Sequence, residues 1–419
     1  MSKIGELMID YQDRLGVDAP PLRVAVIHME HWGGAGNSLW ARRIAGALRR
    51  SGQFEVELAA ADTSGTFLYE QARLVALIKA QPLPPNAIRE RYNDWASALR
   101  DELESLWHAA SPLSISAERV ISELPFAKGL SDSSDHFDFV ICTKGLLTQV
   151  ASRLVHRNKT PGEKARVINF VTNPGLLDLP IHRPSNGVLH VISDPSWMSA
   201  LTRKGYLPES IRCCAFTENP TAKDLPGDDI PPLLNGFDFT RPIVVLIANQ
   251  EGARWLTLAR YIVENLPLAQ LIFISINDEE LLRNATSLLE QYPSRTARVT
   301  SLLNPADRDV VLSALTRSNA PVVVTKPGPS TVATIGGFGV PMVLWDAGLP
   351  MEDWVLHSAR ASGIHFVGSS TEEVCLLVET AIRKGNVRKS WRPTFDDNAR
   401  TLTQTGIDRI LLQISGRGL

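Results

Sequence analysis

Residues 322–346 read VVVTKPGPSTVATIGGFGVPMVLWD. The β-branched run Val322-Val323-Val324-Thr325 fits a short buried strand, and it stops at Lys326-Pro327-Gly328-Pro329. Ser330 and Thr331 open a small-residue helix that ends at Gly336-Gly337-Phe338-Gly339, and Pro341 leads into a second apolar strand, Met342 to Trp345. Strand, Gly/Pro turn, helix and strand in this order make one βαβ unit of a parallel sheet. The turn lies at the strand's carboxyl end and offers unpaired backbone N–H groups, two hydroxyls and a lysine. Free donors and the helix dipole favour a phosphate at such a place. The expectation is a diphosphate docked at Gly328 to Thr331; the competing reading is an ordinary βα turn without ligand.

Outward from this unit the same grammar repeats. Leu22 to His28 (LRVAVIH) reads as a buried strand, His31 to Ser38 (HWGGAGNS) as a glycine-rich turn, and Leu39 to Arg50 as a helix. Glycines there let a ligand or a facing backbone come close. Further strands are expected at Phe54–Ala60, Phe137–Cys142, Arg166–Thr172, Val188–Ser193 and Ile211–Phe216, with a mostly helical insertion from Phe67 to Leu124. A Pro-, Gly- and Asp-rich stretch begins at Thr217, and the linker is placed at residues 221–240. A second series follows, with strands at Ile243–Ala248, Ala269–Ile276, Arg298–Leu302, Val322–Thr325, Met342–Trp345 and His365–Val367. The tail, from about Asp396 to Ile414, reads as an amphipathic helix.

The fold class is therefore α/β: two Rossmann-like, doubly wound domains facing across a cleft. Residues 1–220 form the first, 241–395 the second, and 396–419 a C-terminal helix.

Bulk properties narrow the function. Of 419 residues, 44% are apolar and 21% charged, enough for packed cores and against disorder. A formal charge of −2 argues against a nucleic-acid partner that needs a broad basic field. Cys142, Cys213, Cys214 and Cys375 show no CxxC pairing and read as reduced thiols of a cytoplasmic protein. No run is long and apolar enough to span a bilayer, and MSKIGELMIDYQDRLG lacks a signal-peptide profile. No His/Cys/Asp cluster has metal-ligand spacing, so neither a metal nor a cofactor is expected.

Two such domains, a glycine turn after the first strand and a KPGPST loop late in the second resemble the GT-B glycosyltransferases. The resemblance is closest to glycosyltransferase family 28, which includes the lipid II-forming N-acetylglucosaminyltransferase and diacylglycerol glycosyltransferases. It is carried by Arg298 to Ala359 and by Gly33 to Leu48. It implies inverting, metal-independent transfer of a hexose or N-acetylhexosamine from a nucleotide diphosphate sugar, usually UDP-linked, to a hydroxyl acceptor. That acceptor would be lipid-linked at the inner face of the membrane or a small molecule. Matching positions imply that Lys326, Gly328, Pro329, Ser330 and Thr331 hold the diphosphate and that the backbone of Leu302 or Leu303 meets the base. Asn249, Gln250 and Glu251 fall in a substrate-facing loop, and the tail helix is similar to one that crosses back to the first domain. Charge on the leaving diphosphate would be met by backbone donors, hydroxyls and the helix dipole.

Three positions depart from the family pattern. Thr334 stands where a glutamate usually grips the ribose. Asn37 stands where a histidine usually serves as base, and an amide cannot take a proton, so His31 and Glu30 become the catalytic candidates, with His28 considered beside them. The polar pair for the sugar hydroxyls falls near, not on, Glu352 and Asp353, whose carboxylates suit sugar hydroxyls or a helix N-terminus equally. Gly34, Gly36, Asn37 and Asn173 are the acceptor-side candidates. A nucleotide-sugar epimerase of related fold, or a binding protein without turnover, are the alternatives.

Overall fold

The computed structural model describes residues 20–29, 36–61, 73–74, 77–78, 83–108, 137–143, 145, 147–148, 151–152, 166–172, 187–192, 197–214, 232–249, 252–276, 278–301, 305–346, 348–361, 366–384 and 406–416. Its N-terminal part is a parallel six-stranded sheet in the order β2-β1-β3-β4-β5-β6. The strands are β1 (Leu22–Met29), β2 (Phe54–Ala61), β3 (Phe139–Cys142), β4 (Arg166–Phe170), β5 (Leu189–Ile192) and β6 (Ile211–Cys213). Helix α1 (Gly36–Arg50) returns the chain from β1 to β2, and α2 (Pro85–His108) lies in the helical insertion. A third helix, α3 (Trp197–Arg203), precedes β6. Central strands such as FVIC of β3 are buried at every position, as expected of a parallel sheet covered on both faces.

The C-terminal part repeats the design in the order β12-β11-β10-β7-β8-β9. Its strands are β7 (Ile243–Asn249), β8 (Gln270–Ile276), β9 (Ala297–Thr300), β10 (Pro321–Thr325), β11 (Met342–Trp345) and β12 (Val367–Gly368). Between them run α4 (Ala253–Asn265), α5 (Glu279–Glu290), α6 (Pro305–Leu315), α7 (Pro329–Phe338), α8 (Asp353–Ala361) and α9 (Thr371–Lys384). One face of the sheet packs Trp255, Leu258 and Ile262 of α4, Leu281 and Leu288 of α5, and Val374 and Val378 of α9. The other face packs Leu312 and Leu315 of α6, Ile335 and Phe338 of α7, and Leu234 and Phe237 ahead of β7. β9 and β12 are shifted by one or two residues from the sequence expectation, at the sheet edges where apolar patterning is weakest.

The order of each sheet reverses beside its first strand, so β1 separates β2 from β3 and β7 separates β8 from β10. Connections leave these neighbours in opposite directions and open a crevice at the carboxyl ends, where ligands of such sheets bind. Helix α7 of the second sheet contacts α1 of the first.

Helix α10 (Ile407–Ile414) sits in the core of the first sheet, not the second. Ile407, Ile410 and Leu411 are all buried among Trp40, Ile44 and Leu48 of α1. Arg166, at the start of β4, donates to the carbonyl of Ile414 and holds the helix end.

The opposite face of the first sheet carries a buried polar row that sequence patterning did not show. Cys142, Asn169 and His190 are register partners on β3, β4 and β5. The Thr148 hydroxyl donates to Asn169 Oδ1 at 3.2 Å, and Asn169 Nδ2 lies 3.1 Å from His190 Nδ1. An amide nitrogen can only donate, so the imidazole is neutral with its proton on Nε2. The Tyr206 ring packs edge-on to His190 at 4.5 Å. Burial lowers the His190 pKa from 6.5 to about 4. Between those pH values the unfolded chain binds a proton that the folded chain refuses. Stability is therefore complete above pH 6.5 and is lost as pH falls toward 4. Denaturant titrations should show a loss of about 2 kcal/mol between pH 7 and pH 5 from this group, absent in His190→Phe. Equal acid slopes in the two proteins would contradict the buried neutral imidazole.

Candidate functional site

The site is built at the carboxyl end of β10, beside the reversal point of the C-terminal sheet. β10 is buried throughout and ends at Thr325. Pro327 and Pro329 prevent further ladder pairing, and the chain turns, with the Gly328 N–H donating to the Lys326 carbonyl at 2.7 Å. Helix α7 then starts with Pro329, whose missing N–H costs nothing at that position. Gly328 is the N-cap and has no side chain to cap with. Its carbonyl accepts from Val332 at 2.9 Å, closing the first turn, while the earlier amides of the helix have no intrahelical acceptor. At the other end Gly339 adopts a left-handed φ of 66°, which stops the helix and turns it into β11.

The adjacent wall comes from the loop after β11. Asp346 Oδ1 accepts from the Gly348 N–H at 2.8 Å, and Gly348 takes a left-handed φ of 78°. Leu349 is fully buried and anchors a short 3-10 turn, Pro350–Glu352, that delivers Glu352 to the site before α8 begins. Glu352 Oε1 lies 3.4 Å from Lys326 Nζ, with side chains only 3% and 15% exposed. Oε2 of Glu352 is buried and has no hydrogen-bond partner among the described residues. Burying a charged oxygen unsatisfied is costly, and a ligand hydroxyl there would remove the cost. Below, the fully buried Trp255 and Trp345 meet edge to face at 5.1 Å, tying the start of α4 to the end of β11.

Asp353, the neighbour of Glu352, has both oxygens engaged. Arg89 of α2 donates to them at 2.6 and 2.7 Å, a bidentate bridge from the first sheet's helical insertion to the second domain. That hydrogen bonding raises the Arg89 pKa further. Arg254, in the first turn of α4, donates to the Leu83 carbonyl, and its Nη1 is buried without a hydrogen-bond partner among the described residues.

Of the residues singled out in the sequence, Lys326, Gly328, Thr331 and Glu352 come together here, with Asp353 turned to Arg89. Pro329, Ser330 and Thr334 lie on α7 and Asn249 ends β7, each described by its backbone. Gly36 and Asn37 begin α1, likewise by backbone. Leu303, Gln250, Glu251, Glu30, His31, Gly34 and Asn173 lie outside the described residues. His28 is buried within β1. Arg89 and Arg254 were missed; the only signals were a helix opening at Pro85, directly after Pro84, and an arginine two residues past Gly252. Among the described residues no group of three or more His, Cys, Asp or Glu side chains could hold a metal ion. No helix among them is long and apolar enough to cross a membrane.

No family profile and no characterised protein matches the chain by sequence. Solved structures match it along almost its whole length. Arabidopsis thaliana UGT89C1 shares 13% identity at a TM-score of 0.56, covering 95% of this chain and 99% of that one. The S. aureus MnaA–UDP complex shares 11% identity at 0.55, covering 94% and 96%. A Listeria monocytogenes protein described as a UDP-N-acetylglucosamine 2-epimerase shares 12% at 0.53, covering 95% and 96%. The fold is GT-B: two Rossmann-like domains, each a parallel sheet with alternating helices.

Proposed function

We infer that this chain is a nucleotide-sugar enzyme, and specifically an inverting glycosyltransferase that uses a UDP-linked hexose or N-acetylhexosamine. The observation that carries this reading is the buried Lys326–Glu352 pair, with one carboxylate oxygen unsatisfied, set before the uncapped first turn of α7. A cation and free amides suit a diphosphate, and an empty carboxylate oxygen suits a sugar hydroxyl. Support comes also from the fold, since UGT89C1 has been solved with UDP-L-rhamnose and with quercetin, and MnaA with UDP. The closer likeness to family 28 rests on Arg298–Ala359 and Gly33–Leu48 of the sequence.

In the transfer, an acceptor oxygen attacks the anomeric carbon and loses its proton to a base, for which His31 and Glu30 are the candidates. The bond from that carbon to the diphosphate breaks, and its electron pair leaves on the phosphate oxygen. Lys326 and the α7 amides stabilise that charge as it forms. Gly34, Gly36, Asn37 and Asn173 would line the acceptor side, and a lipid-linked acceptor would place the reaction at the cytoplasmic face of a membrane. The Listeria protein favours epimerisation as the second reading.

Product analysis with a panel of nucleotide sugars separates these. Release of free diphosphate nucleotide supports transfer, an equilibrium of two sugars on one nucleotide supports epimerisation, and binding with neither supports a sensor without turnover. UDP at a hundred times its dissociation constant should add about 2.7 kcal/mol and raise the melting temperature, while GDP and dTDP leave it unmoved. A shift with another base alone would refute the uridine assignment.

A further inference from the structure

Three contacts place one segment of the N-terminal domain across the C-terminal site. The Leu83 carbonyl accepts from Arg254, just past β7. Pro85 sits against Gly348, past β11, so closely that a Cβ added to Gly348 would lie 2.2 Å from the Pro85 carbonyl oxygen. Arg89 grips Asp353 at the start of α8. In the sheet β10 lies between β7 and β11, so a chain touching both outer neighbours must pass the end of β10, where Lys326 stands. Two strand spacings are about 10 Å, a distance that residues 83–89 span. Two of the buried groups that lack a hydrogen-bond partner among the described residues, Arg254 Nη1 and Glu352 Oε2, lie on the elements this segment crosses.

The geometry points to Arg89 as a positioning residue. Through Asp353 it latches residues 83–89 over the nucleotide-sugar site and holds the neighbouring Glu352 against Lys326. The ligand pocket is thus completed by both domains, with the sugar end, where Glu352 lies, depending on the latch more than the nucleotide end. Naming the sugar end rests on the nucleotide-sugar reading; the latch itself does not. Arg89 and Asp353 are 38% and 47% exposed, so losing the bridge costs the fold little and shows instead in local opening.

The test compares wild type, Arg89→Ala, and the exchanged pair Arg89→Asp with Asp353→Arg. Hydrogen exchange over residues 83–92 is measured without ligand, and calorimetry gives dissociation constants for UDP and UDP-N-acetylglucosamine. Arg89→Ala should speed exchange in that segment, weaken the sugar nucleotide about fivefold and weaken UDP by under about twofold. The exchanged pair should recover much of both. Gly348→Ala, which pushes on Pro85 without removing a charge, should reproduce the faster exchange. Exchange unchanged in Arg89→Ala and Gly348→Ala overturns the latch. Equal weakening of both ligands overturns the link to Glu352. If wild type binds neither nucleotide, the UDP-sugar reading falls, and the exchange measurement still decides the latch.

Discussion

Lys326→Met should lower the unfolding free energy by about 3–5 kcal/mol, as is typical when one member of a buried ion pair is removed. The Glu352 carboxylate is almost fully buried, and one of its oxygens already lacks a partner among the described residues. Without the ammonium 3.4 Å away, the other oxygen would lose its charge partner as well. The double variant Lys326→Met with Glu352→Leu should recover most of the loss, because the buried charge goes with its counter-ion. Neither variant should bind UDP measurably. Denaturant unfolding of the three proteins, with calorimetry of nucleotide binding, checks both halves. If Lys326→Met unfolds like wild type, the pair is not buried in solution. If the double variant still binds UDP, the diphosphate does not sit at Lys326.

Deleting residues 406–419 should unfold the N-terminal domain and leave the C-terminal one standing. Ile407, Ile410 and Leu411 are each no more than 3% exposed in the N-terminal core. Burying such side chains contributes about 1.5–3 kcal/mol each, so three contribute roughly 5–9 kcal/mol. That is comparable to the whole stability of a domain, roughly 5–15 kcal/mol. Both core clusters of the C-terminal sheet are built without any residue of α10. Thermal melts followed by hydrogen exchange should therefore show exchange of β1, β3 and β4 amides at temperatures where β7, β8 and β10 remain protected. Leu411→Asp should act in the same direction with a smaller loss. A truncated protein that protects both sheets equally would show that α10 is dispensable.

The sheets were legible because their strands are nearly continuous apolar runs bounded by glycine and proline. VVVT followed by KPGP could only be a strand that ends, and GGFG only a helix that stops. Lys326, Gly328 and Thr331 were legible because a helix N-terminus after a buried strand is a local feature. Glu352 was found for its place after a strand end, but its pairing with Lys326 depends on the Asp346–Gly348 turn, which only the folded loop shows. Asp353 was grouped with it because adjacent carboxylates look alike in sequence; Arg89, which takes it up, stands 264 positions away. The row of Thr148, Asn169 and His190 was hidden for the same reason, since its members stand 21 positions apart in the chain and meet only across the sheet. Catalytic roles for His31 and Glu30 rest on the sequence alone.

Because α10 is woven into the same core as β1, the second sheet is a loop of chain hung from the first. Tension applied to residues 20 and 416 is borne first by β1 and α10, and the Lys326 pocket feels none of it until they part. In a tether the C-terminal half would be mechanically shielded by its partner, and the order of rupture would be written in the path of the backbone.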